Sequence, residues 1–272
     1  MILVMVRSGQ MCNQLMTLVA AYAVGIRYKE DVKCPIVDEQ LKKYFCFASN
    51  TSPIKMDMYD TPWLYHIIYY LNRALTLLKI RNLFFRRMYN PKRHGKLQIF
   101  FDAFWHKEDS AIIENLDECR KFFAFKPHIV ETSEKYIRSL RGGGEKLVAV
   151  HARRGDYRTF LGGRLYFNDE ELGYWMKNLK LEQPIKFVFF SNEKIDLEYY
   201  RRLGLDVVQS YGNAIEDLCR MGMCDCVMGP DSTYSWWAMV MGHIPRLLLE
   251  KNHRPYDWDD FYLYENCPYL RG

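Results

Sequence analysis

The clearest signals in the chain are short, uninterrupted apolar runs that alternate with segments of helical period. Residues 2–6 form such a run, as in a strand buried on both faces. Ser8-Gly9-Gln10 breaks it, and Asn13 to Tyr28 then carries an Ala-rich helical pattern, so the chain opens as half of a βα unit. From 31 to 130 the pattern is poorer. Helix-like stretches lie near 62–80 and 108–121, and residues 97–101 give the best strand signal. The run Arg141-Gly142-Gly143-Gly144-Glu145 reads as a linker. Beyond it the alternation sharpens, with strands at 146–151, 187–190, 205–208, 224–228 and 246–249. Helices are expected near 168–180, 195–202, 215–223 and 232–241. This spacing predicts right-handed crossovers and a parallel sheet. Three polar clusters fall at the carboxyl ends of these strands, where such sheets bind ligands: His151–Tyr157, Ser191–Asn192 and Asp231–Ser235.

The 272 residues suit two modest domains or one large one. Aromatic residues reach 15%, a content that serves both cores and sugar or base stacking. A net charge of +5 fits a protein that handles phosphates, and it is too diffuse for a duplex nucleic-acid partner. The one dense basic stretch, Lys79 to Lys96, follows the apolar run 63–71. Two readings stand side by side: an interfacial helix on an anionic membrane, or a solvated end after a buried helix. No apolar run is long enough to span a bilayer, and Met1 leads straight into a strand pattern. The expectation is a cytoplasmic protein, with peripheral contact on the inner membrane face through 63–96 as one reading. The eight cysteines form no Cys-x-x-Cys pair. Asp257-Trp258-Asp259 is the one Asp-x-Asp pair, read as part of a polar tail rather than a metal site.

Two adjacent arginines, Arg153 and Arg154, end a strand beside Gly155 and Asp156. Guanidinium offers paired donors that match phosphate oxygens, and Asp156 either orients an arginine or acts as a base. Gly229-Pro230-Asp231-Ser232-Thr233 places small hydroxyls and amides at a helix start, as an anion site or as plain capping. Asp217 opens another helix, where a carboxylate accepts from guanine N–H groups or merely complements the helix dipole. Neither a Walker loop nor a Gly-x-Gly-x-x-Gly is present.

These stretches resemble the α-1,2-fucosyltransferases of glycosyltransferase family 11 and, more distantly, the α-1,6- and protein O-fucosyltransferases. His151-Ala152-Arg153-Arg154-Gly155-Asp156-Tyr157 carries the likeness. So do Glu216-Asp217-Leu218 through Ser232-Thr233-Tyr234-Ser235-Trp236-Trp237, and Ser8 to Gln14. The resemblance implies an α/β protein of GT-B architecture, two Rossmann-like domains facing a cleft. The division would be 1–141 on the acceptor side, 142–250 holding the donor, and a tail 251–272 packing back on the first domain. It implies inverting transfer of fucose from GDP-fucose to a glycan acceptor, O-2 of a galactoside, with no metal or other cofactor. Arg153, Asp156 and Asn13 become the catalytic candidates. His151, Arg153, Arg154, Ser191, Asn192, Asp217, Ser232, Thr233 and Ser235 become the donor-binding ones, with Arg154 supporting the turn. Cys12, Gln10 and Asp231 depart from the family pattern. The alternatives are another GDP-deoxysugar, another fucosyl linkage, a non-catalytic GDP-sugar-binding protein, and an adaptor using the basic stretch.

Overall fold

The computed structural model describes residues 1–5, 10–47, 52–79, 97–100, 108–179 and 183–268. Ser8, Gly9, the end of the first apolar run and the basic residues 81–96 lie outside the described residues. The chain forms two compact units, one of residues 1–126 and one of residues 127–268.

In the first unit a four-stranded parallel sheet has the order β3-β2-β1-β4. Its strands are β1 (Ile2–Val4), β2 (Val32–Cys34), β3 (Met56–Met58) and β4 (Gln98–Phe100). Helix Met11–Tyr28 follows β1 and is buried on most of its circumference, with Leu15, Val19 and Ala23 fully enclosed. It packs on the sheet on one side and on helices Asp109–Glu114 and Leu116–Phe122 on the other. Tyr22 stacks on Phe122 at 4.3 Å there. The region 31–130 was hard to parse because its strands are three residues long, too short for alternation to show.

The second unit holds a five-stranded parallel sheet in the order β7-β6-β5-β8-β9. These strands are β5 (Lys146–His151), β6 (Ile185–Phe190), β7 (Asp206–Gln209), β8 (Cys226–Gly229) and β9 (Arg246–Leu248). All five were legible as apolar runs, as were the helices between them: Asp169–Asn178, Leu197–Arg202, Ala214–Met221 and Thr233–Gly242. Val148, Val150, Phe187, Phe189, Cys226 and Met228 form the heart of the core. The strand order reverses beside β5, between β6 and β8. In sheets of this kind the ligand crevice opens at the carboxyl edge of that switch point.

Two boundaries differ from the sequence reading. Helix Pro127–Leu140 packs on Ala214–Met221, so it belongs to the second unit and the division falls before it. The glycine run is a closed turn inside that unit. Gly142 and Gly143 donate their amides to Glu145 at 2.7 and 2.8 Å, and Lys186 reaches the same carboxylate at 3.0 Å. These donors, the backbone amides foremost, hold the Glu145 carboxyl down at about 2. The described part of the tail packs on the second unit rather than the first. Tyr256 joins its core, and Tyr262 bridges to Arg246 of β9.

Helix Thr233–Gly242 is held close to its neighbour by a small residue. A Cβ on Gly242 would lie 2.1 Å from the Gly222 carbonyl oxygen, which is backbone and cannot swing away. Gly242→Ala is expected to lower the unfolding free energy by about 1–3 kcal/mol. A urea midpoint equal to that of the wild type would show that this crossing is looser than described.

Candidate functional site

The site grows from the carboxyl ends of β5 and β8, the two strands at the switch point. They run so close that a Cβ on Gly229 would sit 2.8 Å from the Cβ of His151. After His151 the chain must leave the sheet sharply, and two neighbouring arginines then go separate ways.

Arg154 turns inward. Only 4% of it is exposed, and its guanidinium donates to the Phe167 carbonyl at 2.9 Å and to the Tyr166 hydroxyl at 3.3 Å. It also pairs with Asp169, which accepts from the Tyr200 hydroxyl at 2.6 Å. Its backbone amide donates to Asn192 Oδ1 at 2.8 Å. Arg154 and Asn192 are therefore joists of the turn rather than groups presented to a ligand. Ser191 acts on the same corner, accepting from the Glu193 amide at 3.2 Å. Glu193 accepts from the Gly155 amide at 3.0 Å and binds both ends of Arg158. Gly155 has φ +43°, where a side chain would be strained and would also meet the Asn192 amide.

Arg153 turns outward. It lies over the Tyr157 ring at 4.7 Å and is gripped edge-on by Asp156, through Nε at 2.9 Å and Nη2 at 2.7 Å. Hydrogen bonding from Arg153 holds the Asp156 carboxyl below its usual range. A carboxylate so engaged is well suited to fixing the plane of a guanidinium and poorly suited to collecting protons.

Across the switch point, β8 runs into the loop 230–232 and helix Thr233–Gly242. Ser232 caps that helix, accepting from the Tyr234 amide at 3.3 Å. Ser235 is fully buried and donates back to the Ser232 and Pro230 carbonyls, so it braces the loop. Arg246, buried on β9, donates to the Pro230 carbonyl at 2.7 Å. Thr233 is half-buried at the first helical position, and Asp231 is exposed with no arginine paired to it among the described residues.

His151 sits between the two halves with 6% exposure and leans on Tyr234 at 5.2 Å. No described group meets its Nδ1. Burial, then the positive charges of Arg246 and Arg153, pull its pKa down to about 3. Burial chiefly keeps the ring neutral, and the two arginines act in the same sense. Arg246 and Arg153 thus lie within electrostatic reach of His151, and Tyr234 of the helix start lies against its ring, an arrangement that favours an anion nearby.

Asp217 lies in the first turn of helix Ala214–Met221, after β7, and the Ala214 carbonyl there accepts from the Tyr234 hydroxyl at 2.7 Å. Oδ1 of Asp217 accepts from the Ser210 hydroxyl at 2.6 Å, the Gly212 amide at 3.2 Å and Arg220 at 3.4 Å. Among the described residues no donor reaches Oδ2. Burial raises its pKa, while Ser210 and Arg220 oppose the shift. Asn13 lies in the first unit, in the opening turn of helix Met11–Tyr28, where its amide donates to the Gln10 carbonyl at 2.9 Å. Asp257 is spent as the cap of a short helix and as a partner of Arg254. Among the described residues no group of three or more His, Cys, Asp or Glu is placed to hold a metal ion.

Asp169, Tyr166, Tyr200, Glu193, Arg220 and Arg246 were not singled out from the sequence. Arg246 gave a usable sign, a lone charge opening an apolar strand. The others look like ordinary surface residues until the chain folds.

Two all-parallel Rossmann-like units, the second with an anion locus at its switch point, define an α/β protein of the GT-B class. The chain belongs to Glycosyl transferase family 11, whose pattern matches residues 1–244, and it is a glycosyltransferase. No curated protein matches it. Among solved structures it is similar to the α-1,6-fucosyltransferase NodZ soaked with GDP-fucose, with TM-score 0.66 and 12% identity over 93% of this chain and 97% of that one. Fucosyltransferase NodZ from Bradyrhizobium gives 0.63 and 12%, over 91% and 94%. A mutant of Arabidopsis thaliana FUT1 in complex with GDP gives 0.56 and 9%, over 94% and 71%. At such identities the likeness is one of fold.

The two arginines should separate cleanly by experiment. Arg154→Ala strips a buried cation from Asp169, itself partly exposed, and should cost about 2–3 kcal/mol of stability. Arg153→Ala, losing a half-exposed pair, should cost less than about 1 kcal/mol. Equal losses in chemical denaturation would contradict the assignment of one to scaffold and one to ligand.

His151 makes a pH prediction. Its pKa is about 3 folded against 6.5 unfolded, so unfolding takes up a proton below pH 6.5. Stability is complete above that value and falls as the pH drops toward 3, by up to about 1.4 kcal/mol per pH unit. His151→Gln should flatten this slope by that amount. An unchanged slope would mean that the imidazole is not shielded.

Proposed function

We propose that this protein transfers fucose, with inversion, from GDP-fucose to a glycan hydroxyl, O-2 of a galactoside. The observation that carries the reading is the convergence of Arg153 and the Ser232–Thr233 helix start on the electropositive place beside neutral His151. A diphosphate suits this place. The motif likeness to α-1,2-fucosyltransferases supplies the sugar and the linkage.

In this reading Arg153 meets the β-phosphate, and Asp156 holds its guanidinium in plane. The amides and hydroxyls of Ser232 and Thr233 take further phosphate oxygens, while Ser235 and Arg246 keep their loop rigid. Oδ2 of Asp217 accepts from the guanine N–H groups, with Ser210 and Arg220 fixing its other oxygen, and His151 faces the nucleoside. The acceptor oxygen attacks the anomeric carbon as the bond from that carbon to the β-phosphate oxygen breaks. GDP departs with the electron pair, and the hydroxyl proton passes to a base. Charge grows on the leaving diphosphate, where Arg153 and the helix N-terminus stabilise it without a metal ion. Asp156 is not that base, because its lowered pKa and its grip on Arg153 make it a brace.

The first measurement is the melting temperature with GDP, UDP and ADP, with Mg²⁺ or EDTA. Excess ligand at about a hundred times its Kd adds roughly 2.7 kcal/mol of stability. A shift with GDP alone, unaffected by EDTA and lost in Arg153→Ala, is expected. Arg153→Ala should also reduce turnover by about 10²–10³. Asp156→Asn should slow the enzyme yet keep the acidic limb of its pH–rate profile. A UDP-selective or Mg²⁺-dependent shift would overturn the donor assignment, and a product other than the α-1,2 linkage would overturn the acceptor position alone.

A further inference from the structure

Helix Pro62–Leu77 of the first unit is apolar on two sides. Leu64, Tyr65, Ile68 and Leu75 are at least half-buried and account for one of them. The other side carries Trp63, Ile67, Tyr70, Leu71, Ala74 and Leu77, at helical spacings that align them in one stripe, continued by Leu78. Every member is exposed, with Trp63 at 65%, Tyr70 at 63% and Leu77 at 76%. A contiguous apolar stripe of this length is not an ordinary solvent face.

Its composition and surroundings say what covers it. Trp and Tyr prefer the boundary between water and lipid, where an apolar ring and a polar edge are both satisfied. Charge points the same way. From Thr61 to Phe101 the chain has no Asp or Glu and eight Lys or Arg. The whole positive excess of the protein therefore lies in and just after this helix, and the remainder is net acidic. Arg73 and Lys79 are exposed beside the stripe, and the other basic residues fall outside the described ones. No described helix is long and apolar enough to cross a membrane. An exposed apolar face flanked by cations, too short to span, is built to lie in an interface.

We propose that the outer face of helix Pro62–Leu77 docks on an anionic lipid bilayer, holding the enzyme at a membrane surface. The helix would lie in the plane of the headgroups, its stripe sunk toward the acyl chains and its cations drawn to anionic lipid. This inference stands independently of the donor sugar and the linkage.

The test is co-sedimentation of the full chain with vesicles of phosphatidylcholine containing one-third phosphatidylglycerol, and with phosphatidylcholine alone. The variant carries Trp63→Ser, Ile67→Ser and Tyr70→Ser, three exposed positions outside the proposed active site. Wild type should partition about tenfold more onto the anionic vesicles, less so in high salt, where surface charges are screened. The triple variant should lose about tenfold of that binding while its melting temperature and its response to GDP stay unchanged. Absence of wild-type binding to anionic vesicles, or equal binding by the variant, would overturn the proposal. So would a wild-type dimer in solution that the three substitutions dissolve, for then the stripe is covered by a second copy.

Discussion

The geometry of the second unit depends on what Arg154 demands. A guanidinium taken out of water must be surrounded by acceptors, and the only way to supply them here is to bring Asp169, the Phe167 carbonyl and the Tyr166 hydroxyl to the end of β5. That requirement fixes the turn. It sends the next side chain back along the chain, Arg153, the other way, toward the sheet edge. It also calls in Asn192 and Glu193 from the end of β6 to hold the amides of Arg154 and Gly155. One arginine is consumed inside the turn, and its neighbour is left on the outer side, held by Asp156.

The same economy recurs on the other strands. Arg246 is buried beneath the loop after β8 and binds its Pro230 carbonyl. Arg220 is buried beneath Asp217 and lies 4.5 Å from the Tyr136 ring. Each buried cation stiffens a loop at the carboxyl edge, and Arg246 and Arg153 add positive charge beside His151. His151 registers this, since burial and two nearby cations keep it neutral. If the proposed donor binds there, the site needs little rearrangement, because its positive charge is already held in place by the fold.

The proposed membrane docking would place a second constraint on the chain, in the first unit. Eight Lys and Arg fall between Thr61 and Phe101, where there is no Asp or Glu, and helix Pro62–Leu77 leaves an apolar face exposed. In a water-soluble enzyme without a surface to bind, that face would favour aggregation. The chain thus separates two kinds of positive charge. Buried arginines brace the loops at the carboxyl edge of the second sheet, and the acid-free basic stretch lies in and after the helix proposed to dock.

Much of the second unit was legible beforehand. Continuous apolar runs such as 146–151 and 187–190 are short and rich in β-branched or aromatic residues, which favours strands enclosed on both faces, and their spacing pointed to parallel crossovers. The arginine doublet and the Ser232–Thr233 helix start were visible as polar clusters at strand ends, where anion binding and plain capping or pairing remained alternative uses. The short strands Val32–Cys34 and Met56–Met58 were not legible, since three residues carry no period. The glycine run misled, because flexible composition does not reveal that Glu145 closes it. What only the tertiary structure decided is which arginine turns outward, which carboxylate oxygen of Asp217 is left over, and which side of helix Pro62–Leu77 is bare. Those depend on partners distant in sequence, such as Asp169 for Arg154 and Arg246 for Pro230. A chain of letters records that an arginine is present, and only packing decides whether its charge is consumed inside or displayed.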